Sequence, residues 1–322
     1  MYKSIEINKN FKTNEFANYS VDINKKTNDI LLSQDCNSFV YSKENFLSLS
    51  NNLIPLNNTK NSQIHSNDTI IYNKFSNDGK FIFTSDYDFY INKYNFETNE
   101  IKKVSSIIQP PLKTWKFSFI NNKYIATGNY SLLIYDINSC ELFKEINNYN
   151  RFIYSTCFIG NNNENNNNNN NLISVGNQTG SIYFYNIESG KFIKKIEEHC
   201  MIVRCLCYNN IDNILFSASD DLHINVIDLN KFCVESPIVG HKECISGMCF
   251  NENRKLLYTC SFDGCIKVWD LKSKKRCVDT LKKNVDGNDE NSIWDLAVSN
   301  DGDFIVGVGD DCVKCFLLKW DF

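Results

Sequence analysis

The sequence predicts an all-β fold that is built by repetition. Short runs rich in β-branched and aromatic residues, such as KFIFTS, SIYFYN and CIKVWD, are separated by turns containing Asn, Asp and Gly. No stretch shows a sustained helical period of apolar residues. At 322 residues the chain exceeds the usual size of a single core, so it should contain several domains or grow by repeats.

The repeats have a period close to 42 residues. Aligning the strand-like runs on Trp269 gives successive spacings of 53, 41, 50, 42, 42 and 47 residues. The aligned positions are Tyr41, Tyr94, Tyr135, Tyr185, Ile227, Trp269 and Phe316. Four-stranded propeller blades repeat every ~40 to 45 residues. Seven anchors therefore predict a seven-bladed β-propeller of four-stranded antiparallel blades.

Each unit has the same order of strands. An inner strand such as MIVRCLCY is followed by a second strand such as ILFSAS, an Asp-containing turn, a CIKVWD-type strand and an outer strand. The predicted blades span approximately residues 14–53, 69–104, 111–146, 151–196, 200–238, 242–281 and 291–322. The wider spacings are assigned to disordered surface insertions at 51–68 and 161–171, because longer loops cost little free energy.

The last unit ends after its third strand, which would leave an unpaired sheet edge. The segment YKSIEINK near the start of the chain alternates polar and apolar residues. Residues 2–10 are therefore predicted to supply the missing outer strand and close the ring.

Composition argues against several classes of function. The net charge of −4 and the lack of a long Lys/Arg stripe disfavour direct nucleic-acid binding. The sequence shows no leader and no apolar run long enough to cross a bilayer, so a soluble intracellular protein is expected. Most of the 14 cysteines lie in strand-like runs such as CLCY and are predicted to be buried free thiols.

No motif for catalysis or metal binding emerges. Cys312 and Cys315 spell a CxxC, but residues i and i+3 of a strand face opposite sides. The carboxylate pairs Asp220–Asp221 and Asp310–Asp311 occupy equivalent turns, where one Asp should hold the turn and the other face solvent. We therefore predict no catalytic residue, metal, cofactor or small-molecule substrate.

One unit carries a recognisable family signature. Gly240-His241, Asp263-Gly264 and Trp269-Asp270, at their spacing, resemble the WD-repeat signature. The resemblance implies a hydrogen-bonded chain across the blade formed by His241, Ser261, Asp263 and Trp269. The preceding unit keeps His199, Ser219 and Asp221, but has Ile227 where Trp would stand.

A candidate interface follows from the same alignment. Positions at one register of successive inner strands are Tyr72, Trp115, Tyr154, Arg204, Gly247 and Trp294, and the residues before the turn aspartates include Tyr87 and Phe262. Aromatic residues and Arg are over-represented at interface hot spots. The predicted partner-binding top face consists of Tyr72, Tyr87, Trp115, Tyr154, Arg204, Phe262 and Trp294. The alternative is that these aromatic residues belong to the core.

A closer resemblance begins near Pro111. LKTWKFSFINNKYIATGN, RFIYSTCF and IVGVGDD are similar to the small seven-bladed WD-repeat subunits of the superkiller (Ski) complex, shared in animals with the RNA polymerase II-associated factor (Paf) complex. Residues 1–70 correspond to that family by position alone. The resemblance implies a non-catalytic adaptor in exosome-mediated 3′-to-5′ mRNA decay, cytoplasmic and nuclear, with a helical-repeat scaffold and an RNA helicase as partners. Trp115 and Arg204 stand at positions that resemble that family's partner site.

Two alternatives come from other functional classes. Substrate receptors of cullin-type ubiquitin ligases often carry Arg two residues after Trp-Asp, and this chain has Lys272 there. An enzyme built on a propeller would need convergent acid, base or metal-binding groups at the channel mouth, where this sequence predicts aromatic residues.

Overall fold

The computed structural model describes most of the chain. The described residues are 2–12, 19–48, 63–66, 68–87, 90–96, 102–108, 116–120, 123–128, 130–147, 151–160, 171–271, 276–282, 292–310 and 312–320. Within these ranges no helix has the length and apolar character that crossing a membrane would require.

The strands form seven antiparallel sheets, each a blade of the propeller. Strand β1 (Tyr2–Lys12) belongs to the seventh blade. The first blade contains β2 (Val21–Ile23), β3 (Ile30–Gln34), β4 (Asn37–Tyr41) and β5 (Gln63–His65), with the helix α1 (Lys43–Ser48) after β4. The second contains β6 (Ile70–Phe75), β7 (Phe81–Asp86), β8 (Tyr90–Asn95) and β9 (Lys102–Ile108). The third contains β10 (Phe117–Ile120), β11 (Tyr124–Gly128), β12 (Ser131–Asp136) and β13 (Leu142–Asn147).

The remaining blades follow the same order. The fourth contains β14 (Ile153–Ile159), β15 (Leu172–Asn177), β16 (Ser181–Asn186) and β17 (Phe192–Glu197). The fifth contains β18 (Val203–Asn209), β19 (Ile214–Ser219) and β20 (His223–Asp228), with β21 (Cys233–Val234) and β22 (Ile238–Val239) both paired to β20. The sixth contains β23 (Ile245–Asn251), β24 (Leu256–Ser261), β25 (Ile266–Asp270) and β26 (Arg276–Leu281). The seventh contains β27 (Ile293–Val298), β28 (Phe304–Gly309) and β29 (Cys312–Trp320), completed by β1.

The ring is closed by the N-terminal strand, as predicted. Strand β1 pairs antiparallel with β29, from Tyr2↔Trp320 to Lys12↔Cys312, with a register shift between Ile5 and Lys9. The prediction of an all-β, seven-bladed propeller of four-stranded antiparallel blades is thereby confirmed.

Apolar side chains pack between neighbouring blades around the whole ring. One cluster joins Val21 and Ile30 of the first blade to Phe304 and Val306 of the seventh, so the circle of packed interfaces also closes there. Alternate residues of each strand point to opposite faces, so a blade sandwiched between two others needs apolar residues on both. The described core therefore lies between blades rather than inside any one of them.

Two parts of the first blade differ from expectation. Gln63–His65 falls within the stretch 51–68 that was expected to be a disordered insertion, yet it forms the outer strand β5, and Ile64 is buried. Residues 51–62 and 67 lie outside the described residues. Helix α1 was not expected, because six residues are too few to show a helical period; its Phe46 packs against Tyr41 with ring centroids 5.8 Å apart.

The Asn-rich tract lies in a hairpin of the fourth blade. Strands β14 and β15 pair from Ile159↔Leu172 to Ile153↔Asn177 on either side of it. Residues 161–170, which carry nearly all of the predicted second insertion, lie outside the described residues.

Candidate functional site

A hydrogen-bonded chain crosses the sixth blade. Trp269 Nε1 donates to Thr259 Oγ1 at 2.9 Å, and Thr259 Oγ1 lies 2.8 Å from His241 Nε2. On the other side of the imidazole, His241 Nδ1 lies 2.9 Å from Asp263 Oδ2. Asp263 also accepts the backbone N–H groups of Lys242 and Cys265, at 2.9 and 3.0 Å. The chain therefore fixes the turn that carries Phe262.

The hydroxyl in this chain belongs to Thr259 and not to Ser261, which corrects the expectation drawn from the family resemblance. Trp269 pairs with Leu257 across the strand, so its indole reaches Thr259, the next residue on the same face. Ser261 lies two residues further along. Its hydroxyl donates to Glu243 O at 2.9 Å and accepts the Asp263 N–H at 3.1 Å.

The fifth blade repeats the arrangement with one link fewer. His199 Nδ1 lies 2.8 Å from Asp221 Oδ2, and His199 Nε2 lies 2.8 Å from Ser217 Oγ. Ser217 again replaces the expected serine, because Ser219 donates instead to Met201 O at 3.2 Å. Because Ile227 stands in the position of Trp, the row of hydrogen bonds in this blade ends at Ser217.

The carboxylate of Asp221 is stabilised in its charged form. Burial acts to raise its pKa, but the hydrogen bond and charge of His199 and the backbone N–H groups of His223 and Cys200 outweigh burial and lower the pKa to about 2. A depressed carboxylate pKa stabilises the fold above the pKa of the unfolded chain, and this stability disappears as the pH falls through the folded value.

Asp221→Asn should therefore flatten the acid side of the stability profile. At neutral pH the variant should be less stable than wild type, and the difference should shrink between about pH 5 and about pH 2 as the wild-type carboxylate becomes protonated. Urea unfolding across this range measures the difference. The variant Glu198→Gln changes an exposed carboxylate next to His199 and should track wild type; a pH-independent gap for Asp221→Asn would contradict the linkage.

The inner strands carry bulges at equivalent positions near their starts. In five blades, one residue near the start of the inner strand has no paired residue on the second strand. The bulged residues are Ile71, Tyr154, Arg204, Ser246 and Trp294. A bulge bends a strand and re-aims a side chain, so these residues are placed at one end of the central channel.

The bulged residues and their neighbours surround a depression of about 60 Å³, here called the mouth depression. It is lined by Tyr19, Ile71, Tyr72, Lys116, Tyr154, Arg204, Ser246, Phe262 and Trp294. Five of the seven residues predicted for the partner-binding face thus line it together: Tyr72, Tyr154, Arg204, Phe262 and Trp294.

The other two predicted residues stand apart from it. Trp115 lies outside the described residues. Tyr87 does not line the depression, although its phenol is near enough to contribute, after burial and ahead of Asp35 and Asp310, to raising the pKa of Tyr19.

The aromatic side chains of the mouth depression are held in place by hydrogen bonds and ring contacts. Phe262 and Trp294 meet edge to face with centroids 4.8 Å apart, and Tyr19 lies 6.3 Å from Trp294. Trp294 Nε1 donates to Asp310 Oδ1 at 2.6 Å. Satisfying the indole N–H in this way leaves the ring available for apolar contact with a partner.

Arg204 is clamped beside these rings. Its Nη2 donates to Asp220 Oδ2 at 2.9 Å and its Nε binds Asp220 Oδ1, a bidentate pair. Its guanidinium carbon lies 5.5 Å from the centroid of Phe262. Asp220 is buried and Asp310 binds Trp294, so neither simply faces solvent, which was the prediction for one Asp of each pair.

The sequence alignment was one residue off in two blades. The equivalents of Tyr154 and Trp294 are Ile71 and Ser246, not Tyr72 and Gly247. Tyr72 pairs with Ser85 one step beyond the bulge and packs edge to face on Phe117 at 5.0 Å.

Sequence reasoning also missed Tyr19 and Lys116. Tyr19 precedes an inner strand of only three residues, Val21–Ile23, which carries no recognisable repeat signature. Lys116 follows Trp115, one residue away from the aligned register, and carries no repeat signature of its own.

Thiols and carboxylates contribute no recognisable metal centre among the described residues, where no group of three His, Cys, Asp or Glu side chains has a geometry suited to an ion. The thirteen cysteines with described side chains are free, but only four of them are buried; seven are half-buried, and Cys200 and Cys233 are exposed. Cys315 is buried, whereas the side chain of Cys312 lies outside the described part of the chain.

Comparison with known proteins agrees with this architecture. The family model "WD domain, G-beta repeat" matches residues 190–228, 232–270 and 275–316. The chain is a WD-repeat protein. Each matched repeat begins at the outer strand of one blade and ends at the third strand of the next, so consecutive repeats bind neighbouring blades together.

Relatives of this WD-repeat protein are distant and longer than the matched segments. Telomerase protein component 1 of Mus musculus is 29% identical over 97 residues, 30% of this chain and 4% of that protein. U3 small nucleolar RNA-associated protein 21 of Saccharomyces cerevisiae is 25% identical over 191 residues, 59% of this chain and 18% of that protein. The U5 small nuclear ribonucleoprotein 40 kDa protein of Dictyostelium discoideum is 28% identical over 102 residues, 31% of this chain and 28% of that protein. The chain thus spans well under two thirds of each.

Proposed function

We propose that this WD-repeat protein is a non-catalytic scaffold that binds a short segment of a partner protein at the mouth depression. The observation that carries the proposal is the convergence of Tyr154, Phe262 and Trp294 around one small concavity beside Arg204. Interface hot spots are typically such aromatic and Arg residues in well-packed surroundings. The polar ends of Trp294 and Arg204 are already satisfied by Asp310 and Asp220, so a partner meets a pre-organised surface.

The partner is proposed to belong to an RNA-processing assembly. The names of the relatives include a U3 small nucleolar RNA-associated protein and a U5 small nuclear ribonucleoprotein component. A net charge of −4 disfavours direct contact with RNA, so another subunit would make that contact.

Within that class, the sequence resemblance favours the WD-repeat subunit of the Ski complex. Its partners would be a helical-repeat scaffold and an RNA helicase, acting with the exosome in the cytoplasm, and a Paf-complex role would place it in the nucleus. Affinity purification of the full chain followed by mass spectrometry tests this assignment. Recovery of such a scaffold and helicase would support it, whereas recovery of a cullin adaptor or a different ribonucleoprotein would replace it.

Trp294→Ala should weaken binding of the recovered partner by about 2 kcal/mol or more, roughly 30-fold in Kd. The variant removes the ring that contacts both Tyr19 and Phe262. A second variant, Arg204→Ala combined with Asp220→Ala, removes the ion pair as a unit and so leaves no uncompensated buried charge. Calorimetry with the purified partner measures the Kd of each variant.

The matched control is Ile211→Ala. Ile211 is 51% exposed and lies in the turn after β18, at the end of the strand away from the mouth depression. It should bind like wild type. Unchanged binding by folded Trp294→Ala would remove the mouth depression as the interface while leaving the WD-repeat fold untouched.

A further inference from the structure

A second concavity lies below the mouth depression, inside the ring. It has a volume of about 330 Å³ and is lined by the inner strands of all seven blades. Tyr72 and Lys116 line both concavities and therefore stand between them. Turn residues such as Lys25 and Asn210 line its other end, which places that end at the opposite face of the propeller. Its size falls in the range of small-molecule sites, about 300–1,000 Å³.

Two of the three carboxylates that line this central cavity, those of Asp22 and Asp295, bind to its walls. Asp22 Oδ2 accepts the Phe75 N–H at 2.8 Å. Asp295 Oδ2 accepts the Ser20 hydroxyl at 3.1 Å and the Val21 N–H at 3.4 Å. These negative charges are therefore largely satisfied by protein donors.

The ammonium of Lys116 also has partners in the cavity wall. Its Nζ donates to Ser246 O at 3.1 Å and lies 3.9 Å from Asp295 Oδ1. It also approaches Cys205 Sγ at 3.6 Å. All three of its N–H groups thus have a neighbour.

Lys74 is different. It lines the cavity, yet its ammonium makes no hydrogen bond and no ion pair with any of the described residues. The Tyr72 phenol and the Asp22 carboxylate raise the pKa of Lys74, against the opposing effect of burial, so it is charged at neutral pH. A part-buried ammonium without a direct partner is costly to keep in a folded protein.

The thiols near Lys74 carry no charge that would balance the ammonium, which leaves only the more distant carboxylates of Asp22 and Asp295. Burial raises the pKa of Cys157 to about 12 and also raises the pKa of Cys207 and Cys249, so all three thiols stay protonated at neutral pH. Cys157 and Cys249 already donate to Phe158 O and Phe250 O, so among the described residues the Tyr72 O–H and the Cys207 S–H accompany the three N–H donors of the ammonium. The middle of the cavity therefore offers a cation and several donors, and a ligand must supply the acceptors.

We propose that the central cavity binds a small oxyanion of the phosphate class on Lys74. A tetrahedral oxyanion has several acceptor oxygens for the ammonium and the surrounding donors, and a lysine ammonium is a common point-charge partner of phosphate. The exposed Lys25 and Glu252 line the open end with opposite charges, so selection for an anion rests on Lys74. Inorganic phosphate and the phosphate group of a small monoester share this chemistry.

Calorimetric titration of the full chain with inorganic phosphate, and separately with glycerol 3-phosphate, tests the site at constant ionic strength. Wild type should show one saturable site for at least one of the two, and Lys74→Met should bind at least tenfold more weakly. Binding of phosphate alone would identify a site for the free ion, and tighter binding of the monoester a site for a phosphorylated metabolite. The control Lys194→Met removes an exposed lysine of β17, outside the cavity, and should bind like wild type.

Two further measurements keep the proposal falsifiable whatever the affinity. Without phosphate, Lys74→Met should be at least as stable to urea as wild type, because it removes an unpaired charge. Phosphate should also raise the stability of wild type to urea, and not that of Lys74→Met, because a ligand that binds only the folded state stabilises it. Lack of saturable binding of either anion by wild type, or equal binding by folded Lys74→Met, would overturn the proposal.

Discussion

Trp269→Ala should lower the free energy of unfolding by about 4 kcal/mol. The indole is 2% exposed and packs between the fifth and sixth blades with Phe216, Ile245 and Leu257. Its removal leaves a cavity in that interface and takes away the hydrogen bond that Nε1 donates to Thr259. Both losses act in the same direction, and urea unfolding monitored by circular dichroism measures their sum.

Trp269→Phe separates the two contributions. Phenylalanine keeps an aromatic ring in the interface but cannot donate to Thr259, so the expected loss is smaller, about 1 to 2 kcal/mol. The fifth blade offers a natural comparison, because Ile227 fills the same position there and Ser217 bonds His199 without an indole. A loss below about 1 kcal/mol for Trp269→Ala would contradict a packing role, since full removal of a buried Trp typically costs several times more.

The number and order of the blades could be predicted because the repeat leaves a mark in every unit. All seven aligned positions fall on the third strand of a blade, from Tyr41 on β4 to Phe316 on β29. Closure by β1 followed from the cost of an unpaired edge. These features depend on spacings of tens of residues, so an error of one or two residues in aligning a strand does not change the predicted number or order of blades.

Features that depend on register to one residue could not be predicted in the same way. A bulge inserts one extra residue without any diagnostic residue type, so Tyr72 was aligned with Tyr154 when its true equivalent is Ile71. Likewise Thr259 and Ser261 have the same parity and both carry hydroxyls. Only the pairing of Trp269 with Leu257 decides which of them meets the indole.

The central cavity was beyond sequence reasoning for a further reason. Lys74 lies on an inner strand, and a single lysine in such a sequence suggests an exposed side chain. Its lack of a direct partner among the described residues depends on the directions in which Asp22 and Asp295 point. Those carboxylates come from the first and seventh blades, at opposite ends of the chain. Asp22 lies on the blade next to β6, whereas ring closure brings Asp295 near it.

Removal of residues 1–12 should cost roughly 5 kcal/mol or more, from the ladder of hydrogen bonds between β1 and β29 at ~1 kcal/mol each. This loss is comparable to the whole stability of many domains, about 5 to 15 kcal/mol. It would leave β29 as an edge strand, although Val313, Phe316 and Leu318 are buried in the interfaces around it. Exposed edges pair with other chains, so the truncated protein should also self-associate. Urea unfolding and light scattering after size-exclusion chromatography measure the two effects.

A synthetic peptide of residues 1–12, added in trans, should restore both the stability and the monomer, because an added strand can complete an open edge through main-chain hydrogen bonds. A peptide of the same composition in scrambled order serves as the control. If closure holds the ring together, rescue should also restore the packing of Val21 and Ile30 against Phe304, since that interface lies beside the repaired blade. A truncated chain that stays monomeric with wild-type stability would show that the seven blade interfaces suffice without the paired ends.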